Sequence, residues 1–163
     1  MAIVGYMGCG KTTVGRLLAR TLGWEFADLD RSVAKETGCE IPQIFAYFGE
    51  ELFRNLEHRA LVGALDGREE RVIACGGGIV VRPENRDKLK EVTTVFLRED
   101  LGLLYNRTRA PWRPLRAANR EEFERRYAAR LPFYEEVADL ETPIRGRQPE
   151  EVAEEIALWL MSE

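Results

Sequence analysis

Short apolar runs alternate along this chain with stretches in which apolar residues return every three or four positions. "AIVG" (2–5) is compact and apolar and predicts a buried strand. A glycine-rich turn follows, then a helix from about Lys11 to Leu22, with Val14, Leu17, Leu18 and Leu22 on one face and Gly23 as its stop. "WEFADLD" (24–30) alternates apolar and polar positions, which predicts a second strand ending in two aspartates. Helical patterns cover 31–37 and 41–65, punctuated by Gly38 and Gly49. "RVIAC" (71–75) is a third strand and runs straight into Gly76, Gly77 and Gly78. A short helix opened by Pro83 precedes a fourth strand, "TTVFLR" (93–98), and a helix near 99–107 comes next. The Pro- and Arg-rich "TRAPWRPLRAAN" (108–119) predicts an exposed loop. Asn119, with Glu122 three residues on, has the form of a capping box and opens a helix that Pro132 should disturb. "LETPIR" (140–145) is the weakest strand pattern. In the last helix Pro149 sits in the first turn, and Val152, Ile156 and Leu160 recur every four residues.

Strands alternating with helices predict an α/β domain built on a mainly parallel sheet. No internal repeat, low-complexity tract or linker divides the 163 residues, so one domain is expected. With 45% hydrophobic and 32% charged residues, the composition is that of an ordinary globular protein. No uncharged apolar run approaches the ~20 residues of a membrane span. The N-terminus lacks the basic lead and long apolar stretch of a secretory signal, which points to the cytoplasm. Cys9, Cys39 and Cys75 are odd in number and form no CxxC pair, and His58 is the single histidine. Neither a disulfide framework nor a structural zinc site is expected from that set. His58 reads as a helix-surface residue rather than a catalyst.

The formal net charge of −4 argues against a nucleic-acid partner. Positive charge is nevertheless concentrated, with eight arginines from Arg107 to Arg130. The later ones, laced with Glu121, Glu122 and Glu124, read as a solvated helix face. The earlier ones need a different account.

Gly5-x-x-x-x-Gly10-Lys11-Thr12 satisfies the phosphate-loop pattern, between a predicted strand and a predicted helix where the mechanism requires it. Glycines let the backbone curl until successive N–H groups face phosphate oxygens, and the helix N-terminus adds roughly half a positive charge. Lys11 supplies a full charge to the β- and γ-phosphates, and the Thr12 hydroxyl can ligate Mg²⁺. Gly8, Cys9, Gly10, Lys11, Thr12 and Thr13 are therefore the candidate donor-site residues. The N-K-x-D and D-x-x-G strings of switch GTPases are absent, which favours ATP.

"DLD" (Asp28, Asp30), "FRNLE" (Phe53 to Glu57), "GGG" (76–78) and "RPL" (113–115) follow the cradle in that order. With these motifs the whole chain resembles the shikimate kinases, small phosphate-loop kinases of aromatic amino-acid biosynthesis. The resemblance implies a three-layer α/β fold with a five-stranded parallel sheet flanked by helices. It also implies a substrate-binding helical region at about 31–65 and a mobile lid at about 108–119. The implied reaction transfers the γ-phosphoryl group of ATP, with Mg²⁺, to the 3-hydroxyl of shikimate.

The residues suit those implied roles. Asp28 and Asp30, two apart on a predicted strand, should point to the same side of the sheet. By similarity Asp28 takes the metal and Asp30 contacts the acceptor hydroxyls, as base or positioning group. Arg54 and Glu57 share a helix face; the guanidinium can grip a carboxylate with two parallel hydrogen bonds while Glu57 orients it. A helix-surface salt bridge is the plainer alternative. Phe45 and Phe53 would wall the ring, and Gly76 to Gly78 would let a flat ring approach the backbone. Arg130, in "RLPFY", would be the second arginine on the acceptor carboxylate. Arg113 would reach in on lid closure to stabilise the transferring group. Arg107 would lie near the nucleotide and Arg147 would pack on the adenine, although Pro111, Trp112 and the spacing leave Arg107 and Arg109 interchangeable. A kinase of another small polyol acid such as gluconate, or of a nucleoside monophosphate, is the rival enzyme reading. A regulatory nucleotide-binding module that has lost catalysis is the rival of another class. A kinase of this type can act as a monomer.

Overall fold

Strand β1 (Ala2–Val4) leads through the glycine turn to α1 (Lys11–Leu22), β2 (Glu25–Asp28), α2 (Leu29–Thr37) and α3 (Ile41–Leu65). Then come β3 (Arg71–Ala74), a short 3-10 turn (Ile79–Val81), α4 (Pro83–Lys90), β4 (Thr94–Arg98) and α5 (Leu101–Arg107). Helix α6 (Arg120–Val137), β5 (Leu140–Pro143) and α7 (Pro149–Leu160) complete the order. The computed structural model describes residues 1–67, 70–108 and 119–162. The expected lid and Arg113 within it thus fall, but for the flanking Thr108 and Asn119, outside the described residues.

All described strands join one five-stranded sheet in the order β2-β3-β1-β4-β5, every pairing parallel. Ala2, Ile3 and Val4 are fully buried, as continuous apolar runs must be when helices cover both faces of a parallel sheet. Helix α1 packs on α7 and against β1, β2 and β3, while α6 packs on β4, α4 and the 3-10 turn. The first strand has β3 on one side and β4 on the other, so the chain's connections diverge there. Ligand crevices form at the C-terminal ends of strands at such a point.

Two elements differ from the sequence expectation. Strand β2 stops at Asp28, whose carboxylate caps α2 by accepting a hydrogen bond from the Arg31 amide at 3.2 Å. Asp30 therefore lies in the first turn of α2, and it is a strand-to-helix turn rather than strand alternation that sets it beside Asp28. Helix α6 does begin with the Asn119 side chain accepting from the Glu122 amide, but it runs through Pro132 to Val137 without a break. One lost N–H is offset by the burial of Phe123, Tyr127, Tyr134 and Val137 against the core. Among the described residues no helix is long and apolar enough to cross a membrane.

Candidate active site

A cleft of about 740 Å³ opens at the C-terminal ends of β1, β2 and β3. One wall is the phosphate loop. Gly8 and Gly10 have φ of 86° and 91°, a region that L side chains avoid, and Gly10 is the N-cap residue of α1. Among the described residues no side chain caps that helix end, which leaves its amides open to a ligand. Lys11 Nζ donates to the carbonyls of Gly5 at 2.8 Å and Tyr6 at 3.0 Å, which holds the ammonium at the cleft. The Thr12 hydroxyl donates to Asp28 Oδ2 at 2.8 Å. Thr13 also lines the cleft. Cys9 is turned under the loop and buried, its thiol in the space that a Cβ on Gly5 would need. Its amide donates to the Tyr6 carbonyl at 3.4 Å, so Cys9 shapes the cradle from beneath.

The opposite wall comes from α2, α3, the 76–78 loop and α6. Helix α3 is broken at Gly49 (φ 81°, ψ 172°), and its second half carries Phe53, Arg54 and Glu57. Arg54 Nη1 donates to Glu57 Oε2 at 2.7 Å. This is no surface pair: the side chains are 10% and 1% exposed. Phe45 and Phe53 stack at a tilt with centroids 4.5 Å apart, both facing the cleft. Arg130 Nη1 donates to the Gly77 carbonyl at 3.1 Å, and the Tyr134 hydroxyl donates to the same oxygen.

The glycine triplet makes room for these groups. A Cβ on Gly76 would sit 2.6 Å from Glu57 Oε1 and 2.9 Å from Asp30 Oδ1. On Gly78 it would sit 2.3 Å from Arg54 Nη1. Part of what the glycines admit is thus the protein's own charged side chains.

Burial raises the Glu57 carboxyl above its ordinary value, opposed by Arg54 and helped by Asp30. Its Oε1 is buried and finds no partner among the described residues. Asp30 opens onto the solvent of the cleft, yet protein surrounds it on most sides. That desolvation, then the Asp28 charge, raises its pKa, while Lys11 and Arg54 pull it down. A carboxylate made more basic in this way is a better proton acceptor.

The remaining predicted residues lie further out. Arg107, whose Cβ flanks Gly8, pairs with the buried Glu99 at 2.8 Å. Arg147 folds onto α7, bonding Glu155 and the Pro143 carbonyl. Among the described residues lining the cleft, neither is found. Arg126 joins that lining, as does Glu50, which accepts from Arg54 Nε at 3.2 Å and Nη2 at 3.0 Å. The i,i+4 spacing of Glu50 and Arg54 was the available signal. His58 is half-buried rather than superficial, its Nδ1 lying 2.7 Å from Oδ1 of the fully buried Asn85.

The shikimate kinase family profile matches residues 7–161. The chain is 43% identical to the shikimate kinase of Streptococcus gordonii over 157 residues, 93% of this chain and 94% of that one. It is 40% identical to the shikimate kinase of Thermodesulfovibrio yellowstonii, covering 96% and 91%. A solved structure of shikimate kinase from Acinetobacter baumannii in complex with shikimate, 36% identical, superposes with a TM-score of 0.92 over 99% of this chain and 92% of the other. Shared from the phosphate loop to the last helix, in sequence and in fold, these features make the chain a member of the shikimate kinase family.

Proposed function

We propose that this protein transfers the γ-phosphoryl group of ATP to the 3-hydroxyl of shikimate, giving shikimate 3-phosphate and ADP. The observation that carries this reading is a single cleft in which Lys11 and Thr12 face Asp30, Arg54, Glu57 and Arg130. Lys11 and the amides of the loop and α1 hold the donor's phosphates. Arg54 and Arg130 take the acceptor carboxylate, with Phe45 and Phe53 against the ring. Asp30 orients the acceptor hydroxyl and receives its proton as the oxygen attacks phosphorus and the bond to the ADP oxygen breaks. Arg113, from the segment outside the described residues, stabilises the charge on the transferring group, and Arg107 and Arg147 serve the nucleotide.

A Thr hydroxyl and an Asp carboxylate in mutual contact beside the phosphate cradle suit Mg²⁺, a hard cation that takes few protein ligands and completes its shell with phosphate oxygens and water. Thr12 and Asp28 would hold it. When bound it neutralises charge on the β- and γ-oxygens. Cytoplasmic residence fits unpaired cysteines.

Coupled ADP release tests the assignment, with shikimate, gluconate and nucleoside monophosphates as acceptors. Turnover with shikimate alone is expected. Preference for gluconate or a nucleotide would move the chain to the rival kinases, and nucleotide binding without any turnover would make it a regulatory module.

A further inference from the structure

Arg54 is already engaged by two carboxylates. Glu57 takes Nη1, while one oxygen of Glu50 takes both Nε and Nη2, the side edge through which a guanidinium grips a carboxylate with two parallel bonds. The two acids differ in freedom. Glu57 is 1% exposed and packed against Gly76, whereas Glu50 is 62% exposed and can turn to water. Glu50 also directly follows Gly49, the non-helical residue that breaks α3, and its side chain lines the cleft.

We propose that Glu50 is a displaceable internal anion: it occupies the carboxylate-binding edge of Arg54 in the ligand-free protein and leaves when the acceptor's carboxylate arrives. The inference rests on the reading above that Arg54 takes that carboxylate. Charge favours the exchange. With the acceptor's carboxylate on Arg54 and Arg130, two guanidiniums would face three carboxylates, Glu50 and Glu57 included, and the departure of Glu50 restores two against two. Glu57 cannot leave without stranding a buried charge, so Glu50 is the one that moves. The consequence is selectivity. A ligand must offer Arg54 a better-placed carboxylate than the tethered one, and neutral or poorly aligned polyols fail to displace it. Glu50 also keeps the guanidinium extended against Gly78, so the arginine does not wander when the cleft is empty.

Calorimetric titration of the whole chain with shikimate tests this, using Glu50→Gln, Arg54→Ala and the double variant. Glu50→Gln is expected to bind shikimate about two- to fivefold more tightly, the range for removing an exposed helical ion pair. KM for shikimate should fall in step while KM for ATP stays, and in the Arg54→Ala background the Glu50 change should have no effect. Equal or weaker shikimate binding by Glu50→Gln, alongside strong loss in Arg54→Ala, overturns the displaceable anion and leaves the Arg54 assignment standing. Parental shikimate affinity in Arg54→Ala overturns both. Glu50 is exposed, so the single variant folds, and an unchanged unfolding midpoint checks it.

Discussion

Gly78→Ala adds one methyl group against the tip of Arg54. The Gly78 backbone (φ −109°, ψ 4°) is open to alanine, so the effect is one of contact alone. The new Cβ would lie 2.3 Å from Nη1, 2.5 Å from Nη2 and 2.6 Å from Cζ. Ordinary contacts need about 3.5 Å, so the guanidinium must retreat by about 1 Å. It has little slack, because Glu57 holds Nη1 at 2.7 Å and is itself buried. Overpacking a filled site costs about 1–3 kcal/mol, and a stretched charge-assisted bond falls in the same range. At 1.36 kcal/mol per tenfold, shikimate binding should weaken by about five- to 150-fold. ATP binding should stay within about twofold of the parent, since the three atoms nearest the added methyl all belong to Arg54. The unfolding midpoint should fall by about 2–10 °C. Calorimetry with each ligand and a thermal scan supply the readouts. Gly63→Ala is the control: in α3, the helix that carries Arg54, its Cβ meets nothing within 4 Å, and it should stabilise by about 0.5–1 kcal/mol. Parental shikimate affinity in a folded Gly78→Ala protein would refute the placement of the acceptor carboxylate on Arg54.

Asp30→Asn should lower kcat by on the order of 10²-fold or more with both substrates still bound; a near-parental kcat removes Asp30 as proton acceptor. Glu57 binds its proton more tightly folded than unfolded, so its stabilising contribution is complete below about pH 4 and is lost as pH rises through the raised folded pKa. Denaturant titrations of Glu57→Gln and parent should therefore show the parent's relative stability declining with pH over that window, and a rising difference contradicts the assignment. Asn85 is fully buried, donates to the Ile79 carbonyl at 2.9 Å and meets His58, tying the 3-10 turn to α3. Asn85→Ala should cost about 2–4 kcal/mol in chemical unfolding, and a loss below 1 kcal/mol would mean that water replaces the tether.

What the sequence makes legible is whatever has local cause. The phosphate loop is local because glycines, Lys11 and Thr12 act within one turn. The strand order is not spelled out in any stretch, although the apolar runs of β1, β3 and β4 correctly announce strands covered on both faces. Asp30 shows the limit. Its pattern continues the alternation of β2, but Asp28 caps a helix, and a cap overrides a strand's period in a single residue. Pro132 shows the reverse, a local breaker overruled by the buried ring of Tyr134 and its bond to the Gly77 carbonyl. The glycine triplet is readable as a site, but its reason is tertiary: Arg54, Asp30 and Glu57 arrive from other elements to fill the missing side chains' space.

That filling bears on how the acceptor is selected. The cleft holds a buried carboxylate oxygen, Glu57 Oε1, with no partner among the described residues, and beside it Asp30, which opens onto the solvent of the cleft. The unpartnered Glu57 oxygen weakens the protein by about 1–3 kcal/mol, and glycine at position 76 is what lets the two carboxylates crowd together. On the proposed assignment, a ligand that brings hydroxyl donors between them relieves that cost at the moment of binding. An analogue of the same shape lacking one hydroxyl gives up the relief as well as its own hydrogen bond, and sites built this way reject such analogues far more strongly than apolar pockets reject a missing methylene. Discrimination against deoxy acceptors therefore follows from the unsatisfied oxygen itself. It should weaken in Glu57→Gln, where the amide presents a neutral acceptor whose desolvation costs less, while discrimination against acceptors lacking the carboxylate survives wherever Arg130 still holds its place on the Gly77 carbonyl.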